Sequence, residues 1–145
     1  MKPNIRPLPA ACMIVGLLCL TFAIFQGCAT LAPGADPIVV RTEQAETTAK
    51  STFDLVLNVD QADRGFWRTN ASGFHNFCEW LRVPTPAGTN ILPRCSAMIW
   101  SADMVKQSYK AGAASSNTLY TVVVTLESAI TQAGAWTTIV TNTPH

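Results

Sequence analysis

The sequence predicts an all-α protein, a small antiparallel bundle of three or four helices that follows a short apolar segment at the N-terminus. Side chains that suit a core recur at three- and four-residue spacing over much of residues 37–133. Helix-start residues precede these stretches, and glycine or proline follows most of them. Apolar residues make up 48% of the 145 residues, which is enough for one modest hydrophobic core.

The first helix is predicted to run from residue 37 to about Arg68. Asp36 and Pro37 form a strong start signal, an acidic N-cap followed by proline in the first turn. The residues that then share one helical face are Ala45, Thr48, Thr52, Leu55, Val59, Ala62 and Phe66. Residues 53–59 also alternate with a period of two, so a β-strand is the alternative there.

Two further helices are predicted over residues 73–81 and 96–111. The first has an apolar face made of Phe74, Phe77, Cys78 and Leu81, and it ends before Pro84. The second has a stripe made of Met98, Ala102, Val105 and Tyr109, and Gly112 is placed to end it. The proline-rich segment between them is predicted to be a crossover loop.

The last helix is predicted to begin after the capping residues 115–117 and to end near Gly134, although Trp136 and Ile139 could extend its apolar face. Its apolar stripe consists of Leu119, Val122, Val123, Leu126, Ile130 and Ala133. Residues 118–126 are rich in β-branched side chains and alternate, so a strand is again the alternative. The threonine-rich tail, residues 137–145, is expected to fray.

The N-terminus has the pattern of an export signal. Lys2 and Arg6 precede sixteen uncharged residues, 10–25, which are too few for the roughly 20 that a transmembrane helix needs. Gly27 and Cys28 follow this apolar stretch. A small residue directly before a cysteine at this point resembles the lipobox of bacterial lipoproteins, although Phe25 stands where that family usually has leucine.

This resemblance covers only the first thirty or so residues. It implies that residues 1–27 are a signal peptide, that Cys28 is acylated with palmitate-type chains, and that residues 28–36 tether a helical domain, 37–145, to the membrane. In that family a residue other than aspartate after the cysteine usually directs the protein to the outer membrane, and Ala29 fits this rule. An uncleaved inner-membrane anchor and an ordinary secretory signal are the alternatives.

Signal cleavage would leave two cysteines besides Cys28, namely Cys78 and Cys95. An even pair in an oxidising compartment predicts a disulfide. The bridge would close a loop of about 17 residues and contribute about 3 kcal/mol on the chain-entropy model. Two separate buried thiols are the alternative.

One cluster could carry chemistry, because His75, Cys78 and Glu79 lie within one helical turn. A thiol beside an imidazole is the arrangement of cysteine hydrolases, and the three side chains together could hold a metal. We expect neither, since His145 is the only other histidine and Cys78 is expected in a disulfide. Phosphate-binding and hydrolase motifs are absent from the sequence, so no catalytic residue, cofactor or metal is expected.

The formal net charge of +1 gives no basic surplus for binding nucleic acid. Trp67 and Trp100 lie off the helical stripes and are therefore candidate exposed residues for a partner. These observations predict a lipid-anchored, non-enzymatic envelope protein, held at the outer membrane and facing the periplasm, that binds a protein partner or a second copy. The alternatives are a phage or prophage lipoprotein for lysis or exclusion, and a small thiol enzyme using Cys78 and His75.

Overall fold

The computed structural model describes residues 34–142, which form five helices and one short hairpin. The elements are α1 (Pro37–Ala62), α2 (Arg64–Asn70), α3 (Ser72–Arg82), β1 (Pro84–Ala87), β2 (Asn90–Pro93), α4 (Arg94–Lys110) and α5 (Ser116–Asn142). The predicted predominance of helix is confirmed, and residues 53–59 and 118–126 are helical rather than extended. The predicted signal peptide and Cys28 lie outside the described residues.

The core lies between the three long helices α1, α4 and α5, which contact one another pairwise. Lys106 and Lys110 of α4 pair with Glu46 and Glu43 of α1, so α4 runs antiparallel to α1. Five residues, 111–115, then turn the chain back into α5. The largest fully buried side chains of these helices are Phe53, Leu119, Leu126, Val56 and Val123. No helix within residues 34–142 is long and apolar enough to cross a membrane.

The single first helix that the sequence predicts is two helices, because the chain breaks at Asp63. The Asp63 side chain accepts a hydrogen bond of 3.0 Å from the Phe66 amide and so caps α2. The break turns Trp67 back against α1, where its indole Nε1 donates to the Val59 carbonyl over 3.0 Å. Burial of this large aromatic side chain therefore decides where α1 ends.

The predicted crossover loop is a β-hairpin. Pro84 pairs with Pro93 and Ala87 with Asn90, and Gly88 begins the turn with a φ of +61°, which suits glycine. Ala87 is buried, whereas the residues that point the other way are exposed, namely Pro84, Pro86, Ile91 and Pro93. The proline content hid these strands, because proline is rare in sheets except at edges.

Helix α5 continues through Gly134 to Asn142, eight residues beyond the predicted stop. Trp136 and Val140 pack against the core, and the Trp136 ring lies 6.3 Å from that of Phe74 in α3. Tertiary packing thus holds in a helix a segment that its sequence alone marks as prone to fray.

Two glycines test this packing. Gly134→Ala should raise the free energy of unfolding by about 0.5–1 kcal/mol, since a Cβ there meets no atom within 4 Å and alanine favours a helix. Gly73→Ala should lower it by about 1 kcal/mol, because the added Cβ would lie 2.7 Å from the Trp136 ring. Urea denaturation measures both changes, and an equal gain in the two variants would contradict the Trp136 contact.

Candidate functional site

A cluster of ionisable side chains lies where α1, α2 and α3 meet, around Asp60. Asp60 is 0% exposed at the end of α1. Its Oδ1 lies 2.7 Å from Nδ1 of His75, and its Oδ2 accepts a hydrogen bond of 2.5 Å from Nη1 of Arg82. Both oxygens of this buried carboxylate are therefore occupied by side chains of α3.

Glu79 and Arg64 complete the cluster on its solvent side. Arg82 donates to Glu79 Oε1 over 2.8 Å and to the Leu57 carbonyl over 3.1 Å. Arg64 of α2 also hydrogen-bonds Glu79, and its Nε lies 3.8 Å from Asp60 Oδ2. Two carboxylates thus face two guanidiniums, so that the charges of the cluster cancel when the histidine is neutral.

Ion pairing within the cluster favours the charged forms of Glu79 and Arg82. Partial burial would raise the pKa of Glu79, but hydrogen bonds from Arg82 and Arg64 outweigh it, so the pKa lies below its usual value. Burial likewise lowers the pKa of Arg82, and hydrogen bonds to Asp60 and Glu79 outweigh it, so that the pKa is raised. The ion pairs therefore persist at neutral pH.

A metal ion would have to compete with these arginines. Asp60, His75 and Glu79 each offer a ligand atom, and the three atoms lie within 4.8 Å of one another. Both Asp60 oxygens and one Glu79 oxygen already accept hydrogen bonds from side chains of the cluster. A cation placed among them would face two guanidiniums, so the arrangement favours an internal ion-pair network over a metal centre.

Cys78 lies beside this cluster but is not arranged as a nucleophile. It is fully buried, and its Sγ donates a weak hydrogen bond of 3.6 Å to the Val56 carbonyl. Burial, together with the negative charge of Asp60, raises the pKa of its thiol to about 12. His75 uses Nδ1 toward Asp60, and no hydrogen bond joins it to Cys78 in the described structure.

The predicted disulfide is not formed in this structure, where Cys78 and Cys95 are both free and buried. The Cys78 sulfur faces the backbone of α1, whereas the Cys95 sulfur lies 3.9 Å from Ser96 Oγ at the start of α4. The two thiols are thus held by different neighbours, which corresponds to the alternative of two separate buried thiols.

The tryptophans are placed differently from the prediction. Trp67, predicted to be exposed, is 1% exposed and belongs to the core, because the helix break at Asp63 turns it inward. Trp100 is half-buried, and its ring covers Gly88 of the hairpin. Trp80 is 38% exposed; its ring stacks with that of Phe77, and the Arg94 guanidinium lies over it, 4.7 Å from the ring centroid.

A second buried ion pair joins α1 to α4. Lys106 donates to Glu46 over 2.6 Å and to Asp103 over 3.0 Å, and its side chain is almost fully buried. Burial would lower its pKa, but these two acceptors outweigh burial and raise it. The other Glu46 oxygen, Oε1, is buried without a hydrogen-bond partner. Nothing in the sequence indicated that Lys106 would be buried.

An open cleft of about 670 Å³ lies at the end of the bundle where α1 begins. The Tyr109 hydroxyl donates to Asp36 over 2.7 Å, which lowers the pKa of Asp36. Lys110 and Glu43 pair across the same cleft. Each of these four side chains is engaged with another member of the set, so the cleft offers no unpaired catalytic group from among them.

No match was found for this chain among protein-family models, curated proteins or solved structures. The cluster around Asp60 is therefore interpreted from its own geometry.

Asp60→Asn should lower the free energy of unfolding by about 3–5 kcal/mol, because it leaves the Arg82 guanidinium without its buried counter-charge. Asp54→Asn is the matched control: Asp54 is exposed on the same helix, and its replacement should change stability by no more than about 0.5 kcal/mol. Urea denaturation of both variants provides the comparison. Equal small effects would show that the Asp60 network does not support the fold.

Cys78 and Cys95 should resist alkylation by N-ethylmaleimide in the native protein and react fully in urea, because both thiols are buried. Peptide-resolved mass spectrometry measures the two sites separately. Rapid labelling of native Cys78 would contradict its burial. A peptide pair linked through Cys78 and Cys95 would restore the disulfide prediction.

Proposed function

We propose that this protein is a lipid-anchored, non-catalytic protein of the bacterial envelope, whose small helical bundle supports a structural or protein-binding role. The observation that carries the proposal is the N-terminal pattern, an uncharged stretch that ends in Gly27 and Cys28 after two basic residues. Acylated Cys28 would be the mature N-terminus, and Ala29 favours the outer membrane, with the bundle in the periplasm.

The start of the bundle is compatible with such an anchor. Helix α1 begins at Pro37, nine residues after Cys28. A tether of that length spans at most about 30 Å, so an anchored bundle would stay close to the bilayer surface. A single acyl chain binds a membrane only marginally and reversibly, whereas several chains hold it durably.

The buried cluster favours a structural interpretation over the thiol enzyme. Cys78 has a pKa raised to about 12 and no hydrogen bond to His75 in the described part of the chain, so the thiol is not activated. Both oxygens of Asp60 also have partners already, His75 at Oδ1 and Arg82 at Oδ2, so that this carboxylate is not open to a substrate. The contacts of these residues join helices, which supports a role in stability.

The arrangement of the helices also suits a partner-binding domain. The three long helices make up a small bundle, and they leave α3 and the hairpin on its flank. The near-neutral net charge offers little attraction for nucleic acids, so a protein surface is the partner that this composition favours.

Cys28→Ser should abolish incorporation of an alkyne-palmitate label and release the protein from membranes, because the acyl chains would have no attachment site. Cys19→Ser is the matched control, since it changes a cysteine inside the apolar stretch and should leave labelling and membrane retention unchanged. Membrane fractionation and label detection measure the outcome. Unchanged retention and labelling of the Cys28 variant would contradict the anchor.

A further inference from the structure

The cleft where α1 begins combines paired polar groups with an apolar wall. Its polar lining consists of Asp36, which accepts a hydrogen bond from Tyr109, and of Glu43, which pairs with Lys110. The rest of its lining is apolar and small, namely Ala35, Val39, Val40, Gly112 and Ala114. Because each of the four polar side chains already has a partner in the set, the cleft is best matched by an uncharged, apolar occupant.

The carboxylates of the lining disfavour an acidic occupant. Asp36 Oδ1 accepts from the Ile38 amide over 3.0 Å, so that the start of α1 is satisfied by its own cap. The hydrogen bond from Tyr109 holds the pKa of Asp36 below its usual value, which keeps this carboxyl ionised at neutral pH. A further carboxylate entering the cleft would face those of Asp36 and Glu43 against the single cation of Lys110.

The described chain begins at the rim of this cleft. Gly34 is the first described residue, and the two residues that follow it, Ala35 and Asp36, line the cleft. Gly34 has a φ of +87°, which suits glycine, and a Cβ placed on it would meet no atom within 4 Å. The residues that precede Gly34 therefore start directly beside the apolar wall.

The segment before Gly34 has the composition that this wall favours. Residues 28–33, CATLAP, contain no charged side chain and one large apolar side chain, Leu31. Leu31 lies three residues before Gly34, so an extended backbone lets it reach about 10 Å from that residue. A segment attached in this way meets the wall at a high effective concentration and loses none of the translational freedom that a separate ligand loses on binding.

We propose that residues 28–33 dock onto the cleft at the start of α1, with Leu31 packed against Val39, Val40 and Ala114. Removal of the leucine side chain from water favours the docked segment, and Pro33 reduces the conformational freedom that docking costs. A second copy, a lipid or a small apolar molecule would have to compete with a segment that is always present beside the cleft.

The docked segment would orient the bundle at the membrane, a consequence that rests on the proposed function. Acylated Cys28 would then lie next to the cleft instead of at the end of a free tether of up to about 30 Å. Helix α4 runs from the hairpin to this cleft, and its 17 residues span about 25 Å. The cleft end of the bundle would therefore face the bilayer, and the hairpin would face away from it.

Alkylation of a thiol inside the cleft tests the docking. Ala114→Cys introduces this thiol into the full chain, which is extracted in detergent and treated with N-ethylmaleimide, and peptide-resolved mass spectrometry gives the rate. We expect slow labelling, and Leu31→Asp should speed it about tenfold, because a carboxylate is disfavoured at the apolar wall beside Asp36 and Glu43. Leu31→Met keeps an apolar side chain of similar size and should leave the labelling slow.

Asn117→Cys is the matched control, since Asn117 is exposed near the start of α5 and lies outside the cleft lining. Its labelling should be fast and should not respond to Leu31→Asp. Circular dichroism checks that the Leu31 variants keep the helical fold, which is expected because residue 31 precedes all of the described helices.

Labelling of Ala114→Cys that is as fast as that of Asn117→Cys, or that Leu31→Asp leaves unchanged, would overturn the proposal. Protection that appears only at high protein concentration or only in lipid vesicles would also overturn it, because a second copy or a lipid would then be the occupant. Palmitate labelling of the same preparations reports separately on Cys28, so that failure of the docking is distinguishable from failure of the anchor.

Discussion

The buried carboxylate of Asp60 is the constraint on which the position of α3 beside the long helices depends. An unpaired charge at a fully buried site would cost several kcal/mol, so α3 must present His75 and Arg82 to it. Those two contacts fix the position of α3 along α1. With α3 in place, Phe74 reaches Trp67 and Trp136, and the chain leaves Arg82 directly into the hairpin. The same ion pairs thereby hold the end of α3, from which the chain enters the hairpin.

The cluster also shows how residues of other helices change the chemistry of three side chains that lie close together in the sequence. His75, Cys78 and Glu79 share a helical turn, but their chemistry is decided by neighbours from other helices. Arg82 and Arg64 neutralise the carboxylates, and burial raises the pKa of the Cys78 thiol to about 12. The raised pKa keeps the Cys78 thiol in its protonated form, so it is not activated as a nucleophile.

The sequence predicts much of the helical framework, because amphipathic stripes and capping residues are local signals. Asp36 and Pro37 mark the start of α1, and the stripe from Leu119 to Ala133 marks the buried face of α5. The predicted apolar face of α1 is wrong apart from Ala45, because Leu55 is 40% exposed and the buried positions include Ala49, Phe53 and Val56. Other failures involve tertiary contacts. The break at Asp63 depends on burial of Trp67, and the helical tail of α5 depends on Trp136. Asp60 contacts residues 15 and 22 positions away in the sequence. Helical periodicity predicts no contact over such separations.

A double-mutant cycle of Asp60→Asn and Arg82→Gln tests most directly whether the cluster is a structural ion-pair network. The account predicts a coupling free energy of about 2–3 kcal/mol between the two positions, measured by urea denaturation of the wild type, both single variants and the double variant. Additive effects of the two substitutions would contradict it, because they would show that the buried carboxylate and the guanidinium stabilise the protein independently.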